Sequence, residues 1–109
     1  MAVRSRPFWV ASVGAGQAVA VYTVPPDRTA ICRTWTLTNF AAVAGIIGAR
    51  VDRNGAILHH WRGTVGGNST VAVPVPVILD EGDRFIVNNE TAAAIETVGY
   101  GSLLLGDPA

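Results

Sequence analysis

The stretch VILDEGDRFIVNN, residues 77–89, carries three carboxylates that could take part in chemistry. Asp80, Glu81 and Asp83 surround Gly82, and clustered carboxylates can bind calcium or act as general acids and bases. A calcium loop needs more oxygen ligands at regular spacing, and the EF-hand pattern with its distal glutamate does not occur here. The cluster instead separates an apolar run from a new strand, where a glycine supplies positive φ for a turn. We therefore predict a structural corner, with a calcium site completed by backbone carbonyls as the alternative.

The stretch ILHHWRG, residues 57–63, is the other candidate for chemistry. Adjacent His59 and His60 on a strand point to opposite faces, so they cannot both bind one metal without distortion. A zinc site would need further ligands, and Cys32, the single cysteine, is the only soft one. No serine or cysteine lies in a nucleophile-elbow or oxyanion context. We predict no enzyme activity, no metal and no cofactor, and we place Trp61 on the His59 face as a core residue or an interface anchor.

The composition indicates one domain, residues 1–109, without a strong charge. The apolar fraction is 50% and the net charge is zero, so no broad electrostatic field attracts nucleic acid or acidic membranes. The apolar run Phe8–Val13 follows Arg4 and Arg6 in the manner of a signal peptide, but it is shorter than a usual hydrophobic region. We interpret it as a first strand. No run is long enough to span a membrane, and we expect neither a membrane nor nucleic acid as a partner.

Apolar and polar residues alternate along almost the whole chain, which is the pattern of half-buried strands. Asn54 and Gly55 form a hairpin signal because both residue types tolerate positive φ. Short strands with a turn about every ten residues are typical of sandwiches and jelly rolls. We predict an all-β, antiparallel β-sandwich of jelly-roll type with about eight strands. The predicted strands are residues 5–13, 17–24, 29–39, 45–52, 56–62, 69–79, 83–88 and 94–105.

The segment TVAVPVPVIL, residues 70–79, contains two prolines at alternate positions. Because the N–H groups of residues i and i+2 point to the same side of a strand, Pro74 and Pro76 remove two donors from one edge. That side cannot form a regular ladder. We therefore predict that the strand lies at the edge of a sheet or crosses from one sheet to the other.

The third predicted strand, residues 29–39, offers two faces. Its residues divide into Ile31, Arg33, Trp35 and Leu37 on one face and Cys32, Thr34, Thr36 and Thr38 on the other. The first set is the more apolar, and we expect it to face the core. Arg33 interrupts that set, and we expect its stem to pack near a rim while its head reaches solvent.

The three tryptophans, Trp9, Trp35 and Trp61, have two interpretations. Each would bury a large apolar area as a core residue, and together they could form a stacking platform for sugars. Gly99 and Gly101 leave one face of the last strand bare, so an aromatic ring such as a tryptophan can pack against the backbone there. Close approach of another chain is the alternative.

Two stretches carry a resemblance to a known group of proteins. YTVPPDRTA, residues 22–30, opens an alternating strand that ends in Thr-Asn, and PVPVILDEGDRFIVNN, residues 74–89, follows later. This chain resembles small jelly-roll proteins of tailed-bacteriophage virions, in which Tyr-Thr-Val-Pro-x-x-x-Thr-Ala opens one strand and a Leu-x-x-Gly-Asp corner opens another. The resemblance covers residues 20–105. It implies a head decoration, fibre or minor tail protein, located in the virion after synthesis in the host cytoplasm, and it brings no catalytic residues.

Such a protein works by assembling, with other virion proteins such as major capsid or tail proteins as partners. Charged residues make up only 15% of this chain, so we expect apolar surface to be shared between subunits of a homo-oligomer, and trimers are common among jelly rolls used this way. The alternative is a carbohydrate-binding module that uses exposed tryptophans, with carbohydrate as the partner. The residues that we expect at the assembly interface are Phe8, Trp9, Trp61, Tyr100, Leu103 and Leu105.

Overall fold

The computed structural model describes residues 6–73, 76–91 and 93–105, and these form nine strands and no helix. The predicted all-β architecture is confirmed. The strands are β1 (Arg6–Val13), β2 (Ala18–Thr23), β3 (Arg28–Asn39), β4 (Gly45–Arg53), β5 (Ala56–Val65), β6 (Ser69–Val73), β7 (Val77–Leu79), β8 (Arg84–Asn89) and β9 (Ile95–Leu105).

The strands form two antiparallel sheets that pack face to face. The five-stranded sheet has the order β1-β9-β3-β6, with β7 also pairing with β3, and the four-stranded sheet has the order β2-β8-β4-β5. The chain therefore folds back on itself: β4 pairs with β5, β3 with β6 and β7, β2 with β8, and β1 with β9. This nested pairing across two sheets is the arrangement of a jelly roll, as predicted.

The hairpin between β4 and β5 turns at Asn54 and Gly55, as predicted. Their φ angles are 52° and 86°, and the flanking residues Arg53 and Ala56 pair directly. Positive φ at both central positions matches the right-handed twist of the strands on either side. Asp52 reinforces the turn, since its Oδ1 accepts a hydrogen bond from the Gly55 N–H at 3.0 Å.

The predicted strand 69–79 is two strands in the structure, which raises the count from eight to nine. β6 ends at Val73 and β7 begins at Val77, and Pro76 between them belongs to neither strand. Pro74 lies outside the described residues. Within the described part of the chain, β6 and β7 pair only with β3, so both lie at an edge of the five-stranded sheet. The edge interpretation is confirmed for these residues, and a proline, which has no N–H to donate, suits that position.

The faces of β3 differ from the prediction because the strand contains a bulge. The register with β9 shifts between Cys32 and Thr34, which leaves Arg33 as the extra residue. Trp35 and Leu37 are fully buried as expected, but before the bulge it is Cys32 that is fully buried, while Ile31 is half-buried on the outer side. A bulge places one extra residue in the strand and reverses the alternation beyond it. Arg33 is exposed there.

Two buried asparagines close the strand ends beside the loops. The Asn39 amide donates to the Val43 carbonyl at 2.9 Å and its oxygen accepts from the Ala41 N–H at 3.0 Å. Asn89 donates to the Ala93 carbonyl at 2.7 Å. These bonds satisfy loop backbone groups that no strand pairs, which is how buried loop ends avoid a desolvation cost.

Candidate functional site

The acidic corner holds one buried carboxylate and two exposed ones. The Asp83 side chain is almost fully buried, and its two oxygens accept hydrogen bonds from Arg53 Nε at 3.1 Å, Arg53 Nη2 at 2.7 Å and the Asp80 N–H at 2.8 Å. Glu81 accepts from the Asp27 N–H at 3.2 Å, and Gly82 has the positive φ, 81°, that we predicted for the turn. The geometry therefore makes the corner a structural junction between β4, β8 and the loop before β3.

Opposing effects act on the ionisation of Asp83. Burial raises the pKa of this carboxyl, but the hydrogen bonds from Arg53 and from the Asp80 backbone lower it, and the net pKa lies below the ordinary value. Asp80 is more exposed and lies 3.5 Å from Arg53 Nη2. Asp83 therefore stays ionised at neutral pH, which favours a structural ion pair over a proton-transferring group.

His59 and His60 point to opposite faces of β5, as predicted, but Trp61 does not share the face of His59. The register between β4 and β5 shifts so that Arg50 pairs with His59 and Ala49 pairs with Trp61. His60 is thus the extra residue of a bulge, and its ring lies 6.4 Å from the Trp35 ring on the inner side. A bulge turns two successive side chains toward one face, which corrects the predicted placement of Trp61.

The tryptophans are mainly core residues. Trp9 is 4% exposed and Trp35 is fully buried, whereas Trp61 is half-buried and meets the Trp35 ring edge-on at 5.4 Å. Trp9 stacks on Phe85 at 5.1 Å. A sugar platform made of all three rings is therefore contradicted, because two of them have no surface to offer.

The bare backbone of the last strand accepts aromatic rings from β1, as predicted. A side chain at Gly99 would collide with the Trp9 ring, and a Cβ at Gly101 would lie 2.8 Å from Phe8. Trp9 Nε1 also donates to the Thr97 hydroxyl at 3.1 Å, which satisfies the indole inside the core. Gly99 thus serves the packing of β1, and Gly101 serves both that packing and the close approach of the β3 backbone, since a Cβ there would also collide with the Ile31 carbonyl.

The residues predicted for assembly divide between the core and the surface. Trp9 lies in the core and cannot contact a partner, which corrects that expectation, and Phe8 is half-buried with its ring stacked on Tyr22 at 4.9 Å. Trp61 is half-buried, as described above. Tyr100 and Leu103 are each 42% exposed. The side chain of Leu105 lies outside the described residues.

The outer face of the five-stranded sheet carries exposed apolar residues that sequence reasoning missed. Val10 is 73% exposed, Ile78 61% and Leu104 47%. Val10 pairs with Val98, and Val98 pairs with Thr36, so an uncharged row crosses three strands on this face. The alternation alone could have assigned Val10 to this face, because the next residue inward, Trp9, belongs to the core. We call this surface, defined by Val10, Ile31, Thr36, Ile78, Val98, Tyr100 and Leu104, the apolar face.

The apolar face carries little charge. Among the described residues, Glu96 on β9 and Arg33 at the β3 bulge are the charged side chains exposed on that sheet surface, and no ion pair forms there. The described ion pairs lie on the other sheet and at the acidic corner. The two outer surfaces of the sandwich therefore differ in chemistry.

Metal and thiol chemistry find little support in the part of the chain that the structure describes. No group of three or more His, Cys, Asp or Glu side chains there is placed to hold a metal ion. Cys32 is fully buried, and burial raises the pKa of its thiol to about 11. A thiol with such a pKa is almost entirely protonated at neutral pH and is therefore a poor nucleophile. The described residues also form no helix of the length and apolar character needed to cross a membrane.

Comparison with protein-family models, with curated proteins and with solved structures found no match for this chain. The function must therefore be argued from the surface chemistry described above.

Proposed function

We propose that this protein is a non-enzymatic structural protein of a tailed-phage virion, a head decoration or tail-associated subunit, which assembles through the apolar face. The apolar face carries the proposal, because Val10, Ile78 and Tyr100 leave large side chains in solvent on a sheet surface with little charge. Contiguous exposed apolar surface on a small domain is typical of an interaction site. The motif resemblance and the jelly-roll order support the virion setting.

The occupant that best fits this face is a second copy of the chain. When identical surfaces meet in a symmetric contact, each charged residue can lie near a like charge from the partner, which is unfavourable. Val10, Val98 and Thr36 form a row across three strands that carries no charge, so this surface meets itself without such repulsion. Burial of its apolar side chains contributes about 25 cal/mol per Å² removed from water.

Sedimentation equilibrium of the purified protein tests the assembly. The wild-type chain is expected to form a homo-oligomer at micromolar concentration, and a Val10→Ser, Tyr100→Ser double variant is expected to be monomeric with an unchanged circular dichroism spectrum. The matched control is Ile57→Ser on β5, because Ile57 has a similar exposure, 46%, but lies on the other sheet. This control is expected to remain oligomeric. A monomeric wild-type protein, or a double variant that associates as the wild type does, would contradict the assembly.

The virion setting has its own test. Electron microscopy of phage particles that incorporate labelled copies of the chain is expected to show label on the head or on the tail, and its position assigns the subunit to one of them. Particles that never carry label, although the labelled protein folds and oligomerises, would overturn the virion proposal while leaving the assembly intact.

A further inference from the structure

A groove lies on the outer surface of the four-stranded sheet, on the opposite side of the sandwich from the apolar face. Its volume is about 440 Å³, which is within the range of sites for small molecules. Strand register places two rows of residues along it, with Asn88, Gly48 and Arg62 in one row and Ile86, Arg50 and His59 in the next. The polar side chains that line it come from Arg50, His59, His60, Arg62, Asn88 and Glu90, with Gly48 beside them.

Gly48 forms the open floor of this groove. A Cβ at this position would lie 3.8 Å from Glu90 Oε2 and 3.8 Å from the Trp61 carbonyl oxygen, which are ordinary contact distances. The space above Gly48 therefore accepts a Cβ without a collision. The position offers a direct way to block the groove while keeping the fold.

Arg50 is the cation of the groove that forms no direct hydrogen bond with a carboxylate, although its charge lies close enough to Asp52 to lower the pKa of that carboxyl. Arg62 forms hydrogen bonds with Glu90 at 2.8 and 3.2 Å, and Arg84 pairs with Asp52, whereas Arg50 forms no ion pair with any carboxylate that the structure describes. Its Nε is also buried, and the N–H there donates to no partner among the described atoms. A guanidinium that pairs with no carboxylate retains donors for an anionic ligand, and such charge-assisted hydrogen bonds offset part of the cost of its burial.

Ala49 and Trp61 add apolar surface to the lining, and its charged groups are nearly balanced. Two guanidinium groups, from Arg50 and Arg62, face one carboxylate, from Glu90, which leaves one positive charge in excess. The half-buried Asn88 amide offers both a donor and an acceptor. The Arg62–Glu90 pair also presents a donor and an acceptor side by side, and this combination suits hydroxyl groups, which can donate and accept at once.

We propose that this groove binds a small hydroxylated carboxylate, of the size of one sugar-acid residue. The carboxylate accepts hydrogen bonds from Arg50, because a guanidinium matches the two oxygens of a carboxylate in geometry and charge. The hydroxyl groups contact Asn88 and the Arg62–Glu90 pair. This proposal is independent of assembly, since the groove and the apolar face lie on different sheets.

Amide chemical-shift titration of the wild-type protein tests the proposal, with glucuronate as the probe. Saturable shifts are expected for the backbone amides of Gly48, Arg50 and Asn88. Glucose has the same size without the charge, and acetate has the charge without the hydroxyls, so each is expected to bind about tenfold more weakly or less. Equal binding of acetate and glucuronate would overturn hydroxyl recognition, and equal binding of glucose would overturn the role of the carboxylate.

Three variants connect the binding to the groove. Gly48→Val is expected to abolish the glucuronate shifts by filling the floor, and Arg50→Gln is expected to weaken binding at least about tenfold. Arg33→Gln, which removes an exposed arginine from the other sheet, is the matched control and is expected to bind as the wild type does. If Gly48→Val fails to fold, Arg50→Gln still decides. Absence of saturable shifts in the wild type, or equal losses in Arg50→Gln and Arg33→Gln, would overturn the proposal.

Discussion

On the outer surface of the four-stranded sheet, Arg84 pairs with Asp52 and Arg62 pairs with Glu90. On the outer surface of the five-stranded sheet, the exposed side chains include Val10 and Tyr100. Both sheets use the same alternation to supply the inner residues of the sandwich. Folding therefore requires apolar residues on the two inner faces and leaves the outer faces free to vary. Under the two proposals above, the outer face of the four-stranded sheet meets solvent and a small polar ligand, and the apolar face meets a second copy of the chain.

The largest effect on stability is expected at the ion pair between the buried Asp83 and the partly exposed Arg53, at the end of the four-stranded sheet. Asp83→Asn removes the charge that Arg53 and the Asp80 N–H stabilise, and we expect a loss of about 2 kcal/mol in the free energy of unfolding. Asp80→Asn is the matched control, because Asp80 is mostly exposed, and its cost should not exceed about 1 kcal/mol. Urea denaturation measures both. Equal costs would show that the corner acts as a diffuse cluster of charge and not through the Asp83 pair.

The pH dependence of stability also tests this corner, and the lowered pKa of Asp83 sets the direction of the expected change. A carboxyl whose pKa is lower in the folded state stabilises the fold above its unfolded pKa of about 3.9, and this contribution is lost as the pH falls through the folded pKa. At pH values below about 4 we expect the urea concentration at the unfolding midpoint of the wild type to decrease. The difference in unfolding free energy between the wild type and Asp83→Asn should become smaller in the same pH range. A difference that stays constant from pH 7 to strong acid would contradict the assignment.

The smallest effect on stability is expected from the surface ion pairs of the four-stranded sheet. The hydrogen bond from Arg84 lowers the pKa of Asp52, and the hydrogen bond from Arg62 lowers the pKa of Glu90, yet the arginine of each pair is exposed to solvent. Screening by water and salt leaves such pairs little influence on folding. In high salt, the urea concentration at the unfolding midpoint of Arg84→Gln should therefore equal that of the wild type. A clear loss of stability that persists in high salt would show that the ion pairs on the outer face of the four-stranded sheet also stabilise the fold.

The turns of this fold were readable from sequence because their residues act locally. Asn54, Gly55 and Gly82 adopt the positive φ that their residue types tolerate, and Pro76 lies beside β7 at a sheet edge. The bulges at Arg33 and His60 could not be predicted from the sequence. Residues still alternate on each side of an extra residue, and only the phase of the alternation reverses across it. The bulges decided which side chains face inward, and so the predictions for Ile31, Cys32 and Trp61 failed.

The candidate sites were harder to predict than the fold because they depend on residues far apart in the chain. Asp83 was visible as part of an acidic corner, but its partner Arg53 lies 30 residues earlier, and only the pairing of β4 with β8 brings them together. The groove likewise needs Gly48, Arg62 and Asn88 in one row across three strands. Nothing in the local sequence indicates such a row, since register is set by the whole sheet.

The nested pairing of the strands also has a consequence for the order of folding. The β4–β5 hairpin closes over only two residues, whereas the Trp9 to Thr97 hydrogen bond joins residues 88 positions apart. Each pairing that forms around the hairpin shortens the loop that the next pairing must close, and loop closure is an entropic cost that long-range contacts pay before they stabilise. We expect the transition state for folding to contain the central hairpin with β1 still unattached. Substitutions at Thr97 should then accelerate unfolding and leave the folding rate almost unchanged, so that the first strand of the chain is the last to join the sandwich.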